Sequence, residues 1–232
     1  MEDGVVGLTI GGGAFVSNSA TESGGGMFLS SGCNSTTLRG VEFIGNSAPL
    51  GGGLCTRSMH NLRLLGGSLT SNSAFRGGGL FGEDLHDVEI SDLLASGNSA
   101  VGGVSNEEEV GEVMGGALSL LRSSAIALLS SQFRSNTAVD RGGAVSAVAV
   151  TDLVVGNCSF VGNQQTSRKV TGIGGGALYY DECDGDLRVS EGMFSENEAG
   201  VRGSAIYSVA TYTILVDKTA FADNIVHNYG GK

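Results

Sequence analysis

The sequence predicts an all-β protein: a single-stranded, right-handed parallel β-helix of about eight coils, each built from three short strands. Three observations lead there. A phrase of Phe, two variable residues, Asn and then a Gly pair with an aliphatic residue recurs along the chain. It reads "FIGNSAPLGGGL" at 43–54, "FRSNTAVDRGGAV" at 133–145, "FVGNQQTSRKVTGIGGGAL" at 160–178 and "FSENEAGVRGSAI" at 194–206. Between the phrases, apolar residues alternate with polar ones at period two, the mark of strands with one buried face. The phrases themselves are rich in Gly and Asn, which tolerate the positive φ of tight corners.

The Asn column sets the ruler: Asn18, Asn46, Asn72, Asn98, Asn136, Asn163, Asn197 and Asn224. The step is about 27 residues wherever the chain carries no insertion. Two longer steps hold visible insertions, "VSNEEEVGEVM" at 104–114 and "TSRKVTG" at 166–172. Three residues before each Asn stand Phe15, Phe43, Leu69, Ala95, Phe133, Phe160, Phe194 and Phe221. After each Gly pair comes Met27, Leu54, Leu80, Leu118, Val145, Leu178 or Ile206. A third wall alternates: Thr36, Leu62, Val88, Ile126, Leu153, Leu187 and Ile214, then two residues later Leu38, Leu64, Ile90, Leu128, Val155, Val189 and Val216. Coils stacked about 4.8 Å apart would place each column as a ladder of like residues. Phe would fill the bore, and Asn would pass amide hydrogen bonds from coil to coil. The whole of 1–232 is thus expected to be one domain, a segment of a longer solenoid.

Composition bounds the function. With 232 residues, 41% of them hydrophobic, the chain can bury a core; Gly at 40 and Pro at 1 exclude collagen and Pro-rich spacers. A net charge of -11 opposes a phosphate backbone and anionic lipid, so no nucleic-acid partner is expected. No apolar run approaches the length of a membrane-spanning helix, and direct membrane insertion is not expected. The start, "MEDGVVGLTIGGG", has no basic region ahead of an apolar one and reads as lacking a signal peptide.

The paired motifs "FIGN", "FRSN", "FVGN", "FSEN" and "FADN" with "GGAL" at 115–118, "GGAV" at 142–145 and "GGAL" at 175–178 resemble the polymorphic outer membrane protein repeats of chlamydial autotransporter adhesins. The resemblance covers essentially the whole chain. It implies a pectin-lyase-like β-helix and a cell-surface or extracellular setting. Leu69, Ala95 and Ser204 depart from the motif.

Several clusters are candidate sites. Glu107, Glu108, Glu109 and Glu112 in one insertion would face Arg168 and Lys169 in the other across a ligand-binding patch, since inserted loops on one face are where repeat proteins bind. "DECDGD" at 181–186 gathers Asp181, Glu182, Asp184 and Asp186, hard oxygen donors suited to calcium, although an exposed acidic corner explains them more simply and no cofactor is expected. His60 and His86 share a column with Cys33 nearby, a donor set zinc accepts, although adjacent polar corner residues explain it more simply. Tyr179 and Tyr207 share a column with Phe28, Cys55 and Phe81. That column either points outward as an aromatic strip for sugar rings or a partner protein, or turns inward as core. Cys33, Cys55, Cys158 and Cys183 do not share columns in neighbouring coils and are expected to be free thiols, which weighs against an oxidising compartment. "NST" at 34–36 and "NCS" at 157–159 match the glycosylation triplet.

The outward columns show no acid triad beside Arg or Lys. The expected role is therefore non-catalytic: adhesion, display or spacing by a surface or secreted protein, with a protein or glycan ligand. The alternative is a polysaccharide lyase or glycoside hydrolase, which needs carboxylates, or a cation and a base, converging in a groove. The ends of such a solenoid expose strand edges and are expected to pair with flanking chain or another copy.

Overall fold

The computed structural model of the protein describes residues 7–101, 112–167 and 174–227. Among these residues there are 25 strands and no helix, and the strands form sheets of eleven, eight and six members. Pairing within the sheets is parallel. Each repeat gives a strand to the eight-stranded sheet, and the six repeats from Asn72 onward each give one to the six-stranded sheet.

The eight-stranded sheet runs Ala14–Val16, Glu42–Ile44, Ser68–Thr70, Leu94–Ser96, Gln132–Arg134, Ser159–Val161, Met193–Ser195 and Ala220–Ala222. Its central residues form the Phe column: Phe15 pairs with Phe43, then Leu69, Ala95, Phe133, Phe160, Phe194 and Phe221. Where the rings adjoin they stack, at 4.7 Å for Phe133–Phe160 and 4.6 Å for Phe160–Phe194. The six-stranded sheet is made of two-residue strands directly after the Asn column, from Ser73–Ala74 to Ile225–Val226.

The largest sheet corrects the expected fold class. The expectation was a right-handed β-helix of about eight coils with three short strands per coil. Instead, six strands of this sheet close a parallel circuit, the pairing pattern of a β-barrel. Leu80–Ser91 pairs with Leu118–Leu121, which pairs with Val145–Val148 and then Leu178–Ser190. From Leu178–Ser190 the ladder returns through Thr151–Gly156 and Ser124–Leu129 to Leu80–Ser91. The physical reason lies in the bends. The sequence reading broke this wall into two short strands at every repeat. In four repeats the chain bends without leaving the ladder, giving single strands at Leu54–Leu65, Leu80–Ser91, Leu178–Ser190 and Ile206–Asp217. Residues such as Asn61, Asp84 and Glu182 take the bend at positive φ inside those strands. The two repeats between split around Arg122 and Ala149, so long strands flank split ones and the ladder closes.

The main apolar core is a cluster that runs from Leu29 to Phe194 and is lined by the two larger sheets, while Ala100 and Ala138 of the six-stranded sheet pack separately with Val113. Leu62, Val88, Ile126, Leu153 and Leu187 are each buried in register, and so are Leu54, Leu80, Leu118, Val145 and Leu178.

Candidate functional site

Two corners frame every repeat. At the first, the Asn side chain takes the place of a missing strand. Asn136 Oδ1 accepts from the backbone N–H and the Nδ2 of Asn98, both at 3.0 Å. Its own Nδ2 donates to the Ala95 carbonyl at 3.0 Å and to Asn163 Oδ1 at 2.9 Å. The same bonds link Asn18, Asn46, Asn72, Asn98, Asn136, Asn163, Asn197 and Asn224 without a break. Six of these asparagines are buried, and the ladder satisfies polar groups that would otherwise be orphaned.

At the second corner the two glycines do different work. Gly142 sits at φ 62°, and a Cβ there would lie inside 3.0 Å of the Val145 carbonyl. Gly143 needs no unusual φ, but its Cβ would run into the Gly176 carbonyl of the next repeat and the Gln164 backbone. The third position holds buried Ala117, Ala144 and Ala177 in three repeats, whereas at Gly26, Gly53 and Gly79 a Cβ would come within 3.0 Å of a carbonyl in the next repeat. The motif therefore reads Gly-Gly, then Ala or Gly, then an aliphatic residue.

That turn folds the residue before it back over the outer side of the largest sheet. Arg76, Met114, Arg141 and Gly174 bridge one another in that row. The Arg141 guanidinium lies 5.0 Å over the Tyr179 ring. Tyr179 is 1% exposed, and it joins Met114, Val148, Leu121 and Tyr207 in a small cluster separate from the main core. Its ring stacks on Tyr207 at 5.4 Å, and its hydroxyl donates to Asp181 Oδ2 at 2.5 Å. Burial, then the Asp181 bond, pushes the phenol well above its ordinary range. The column therefore points away from the core yet is not an open strip at Tyr179. Cys55 and Phe81 are buried in the same column, while Phe28 is 47% exposed. Phe28, Glu22, Ser23 and Arg57 line an open hollow of about 210 Å³. Arg57 also pairs with Glu83 at 3.0 Å and sits 5.7 Å from the Phe81 ring.

The other sequence candidates are placed as follows. Glu107, Glu108, Glu109, Arg168 and Lys169 lie outside the described residues. Glu112 pairs with Arg141, and its carbonyl accepts from Arg76 Nε. In the acidic segment, Asp181 is taken by Tyr179 and by the Glu182 N–H. Asp186 pairs with Arg188 at 3.0 Å, and Arg188, then Thr213, holds its carboxyl below the usual range. Glu182 and Asp184 face solvent. His60 and His86 are in register with rings stacked at 4.8 Å, and His86 Nδ1 lies 2.6 Å from Ser124 Oγ. Cys33 packs against the apolar core, away from such a role. Among the described residues no group of three His, Cys, Asp or Glu side chains is placed to hold a metal ion.

All four cysteines are free. Burial lifts the Cys55 and Cys158 thiols to about 11, and raises Cys183 as well. Sequence reasoning missed what the last two do. Cys183 Sγ accepts the Val150 N–H as Ser123 Oγ accepts that of Leu85, so the thiol stands in for a bend-closing hydroxyl. Cys158 Sγ donates to the Gly156 and Leu128 carbonyls, the former much as Ser131 Oγ bonds Leu129. The signal in the sequence was a small polar residue at one step per repeat, with Cys among the Ser and Thr. Gln165 was missed too: buried, its Nε2 donates to the Val139 carbonyl and its Oε1 accepts from Gly200.

Compared with known proteins, the chain matches no family model, no curated protein and no solved structure.

Proposed function

We propose that this chain is a non-catalytic repeat domain of a surface or secreted protein, serving adhesion, display or spacing, with a protein or glycan as its ligand. One observation carries the reading: the recurrent residues are spent on architecture, and the outward ones do not recur. Asn bridges repeats, the Gly pair clears the corner and Phe stacks in the core. The outward column of the largest sheet, by contrast, reads Thr37, Arg63, Glu89, Ala127, Val154, Arg188 and Leu215 in register. A rigid frame with a freely varying face suits recognition, because the face can change without cost to the fold. The resemblance to polymorphic outer membrane protein repeats points the same way.

The contact this surface offers is Phe28 with Arg57. An exposed ring beside a guanidinium fits the flat face of a sugar with a polar rim, or a partner's side chain. The test is binding of the purified protein to a glycan array and a panel of extracellular proteins. The expected result is saturable binding that falls roughly tenfold in a Phe28→Ala, Arg57→Ala double variant. Turnover of a polysaccharide, seen as new reducing ends or unsaturated uronate absorbance, would overturn the non-catalytic reading.

A further inference from the structure

We propose that His60 and His86 form a two-histidine site for a late divalent transition-metal ion: nickel, copper or zinc. The backbone places the pair. His60 lies on Leu54–Leu65 and His86 on Leu80–Ser91, neighbouring parallel strands in which the two residues are direct register partners. Both side chains are exposed, and their rings stack at 4.8 Å with 18° between their planes. In-register residues of a parallel pair project from the same side of the sheet, so the rings meet without any change of backbone. His86 Nδ1 lies 2.6 Å from Ser124 Oγ, its register partner in the next repeat. When that hydroxyl accepts the Nδ1 proton, Nε2 is left with its lone pair, the way ligating histidines are commonly held through their other nitrogen. The backbone N–H of His60 donates to Asn34 Oδ1, whereas its ring makes no hydrogen bond among the described residues.

The surroundings favour a cation. On the strand Leu80–Ser91, the carboxylates of Glu83, Asp84 and Glu89 pair with arginines. Asp87, exposed and next to His86, has no such pair among the described residues. The arginines of the partner strand, Arg57 and Arg63, are the ones held by Glu83 and Glu89, so they do not oppose an ion at the histidines. The donor set fixes the ligand class. Imidazole suits nickel, copper and zinc, whereas calcium takes six or more oxygens. Two metal–nitrogen bonds of about 2.0–2.1 Å at a right or tetrahedral angle put the nitrogens roughly 3 Å apart, so the stacked rings must converge by about 2 Å. Exposed side chains reach that by turning about χ1 and χ2. Water completes the coordination, and Cys33, packed against the core, takes no part. An ion held there ties the bends of two consecutive repeats together.

The experiment titrates nickel(II), which thiols do not reduce, into the full chain and into His60→Gln, His86→Gln and the double variant. Binding is followed by calorimetry and by the nuclear magnetic resonance signals of the imidazole protons. Circular dichroism should be alike in all four proteins, since both side chains lie at the surface. The wild type is expected to bind one more ion than the double variant, and each single variant to bind that ion at least roughly tenfold more weakly. Paramagnetic nickel should broaden the His60 and His86 signals together, ahead of the third histidine, His227. Excess calcium should leave nickel binding unchanged. A wild type that binds no more nickel than the double variant would overturn the proposal. So would a single variant that binds as tightly as the wild type, broadening of His227 ahead of the pair, or displacement of nickel by calcium.

Discussion

The Asn corner and the Gly corner solve the same problem by opposite means. Both must turn the backbone sharply beside a neighbouring repeat. At the Asn corner the turn is held by what the side chain adds: Asn136 takes two bonds from Asn98 and gives one to the Ala95 carbonyl. At the Gly corner it is held by what the side chain omits, since Gly143 leaves room for the Gly176 carbonyl. One corner can be weakened by degrees. The other has no intermediate state, because its neighbours are backbone on both sides and cannot rotate away.

That difference sets the largest expected effect. Gly143→Ala should destabilise by about 3 kcal/mol or more, since an overpacked site whose neighbours cannot move lies at the costly end of core substitutions. Urea unfolding followed by circular dichroism measures it. Ala144→Gly, one residue on, should cost no more than about 1 kcal/mol, the ordinary entropy penalty of Gly. If the two variants were equally damaging, the corner would be sensitive to composition and not to the Gly143 approach.

Asn136→Ala comes next. It leaves the Asn98 N–H buried without a partner, at about 1–3 kcal/mol before any rearrangement, and takes from the strand carbonyl of Ala95 its side-chain donor. Asn136→Asp sharpens the comparison by keeping the acceptor and removing the donor. A carboxylate there would face the Ala95 carbonyl and Asn163 Oδ1, so burial and these acceptors raise its pKa above that of the unfolded chain. The folded state then holds the proton longer than the unfolded one. The variant is expected to be most stable below about pH 4 and to lose stability as the pH rises beyond it, a slope the wild type lacks at this position. A flat difference between the two proteins from pH 3 to 7 would count against a buried, donor-dependent ladder.

Much of this was legible in the sequence because it repeats. The Asn, Phe and Gly columns can be aligned by spacing alone, and their side chains are in register in the structure. What could not be read was how the largest sheet bends. Whether Asp84 and Asp87 turn within a ladder, or Arg122 and Ala149 interrupt it, depends on pairing partners and not on local composition. The expected three-short-strand coil therefore gave way to a sheet whose pairings close. The Tyr179 column was ambiguous for a related reason. Period-two alternation tells which side of a strand a residue occupies, but not that the residue ahead of the next Gly pair, Arg141, folds back over that side.

A third kind of bend, capped by a hydroxyl or a thiol, tolerates exchange of its capping atom at less cost than either corner. Because Ser131 stands in the Cys158 row and makes a like bond to a carbonyl two residues back, Cys158→Ser should change stability by less than about 1 kcal/mol. The same burial governs reactivity. With the Cys55 and Cys158 thiols lifted to about 11, only about a thousandth of each is thiolate at pH 8. A maleimide should add once to the native chain, at half-buried Cys33, and four times in denaturant, as read by mass. Rapid labelling of Cys55 in the native protein would show that the outer column opens.

The smallest effect belongs to the outward columns, and its smallness is the informative part. Arg63 pairs with Glu89 across neighbouring repeats, with side chains 46% and 34% exposed. Solvent screens such a pair, and its net worth is at most about 1 kcal/mol. Glu89→Gln should therefore shift the unfolding midpoint barely, and less still as salt is added. If the outward face contributes so little, selection on the fold does not constrain it, and its irregular succession of Thr37, Arg63, Glu89 and Ala127 is what an unconstrained surface would show. A loss near that of Asn136→Ala would mean that the outer face holds the repeats together. The division between an architectural interior and a surface free for recognition would then fail at its clearest position.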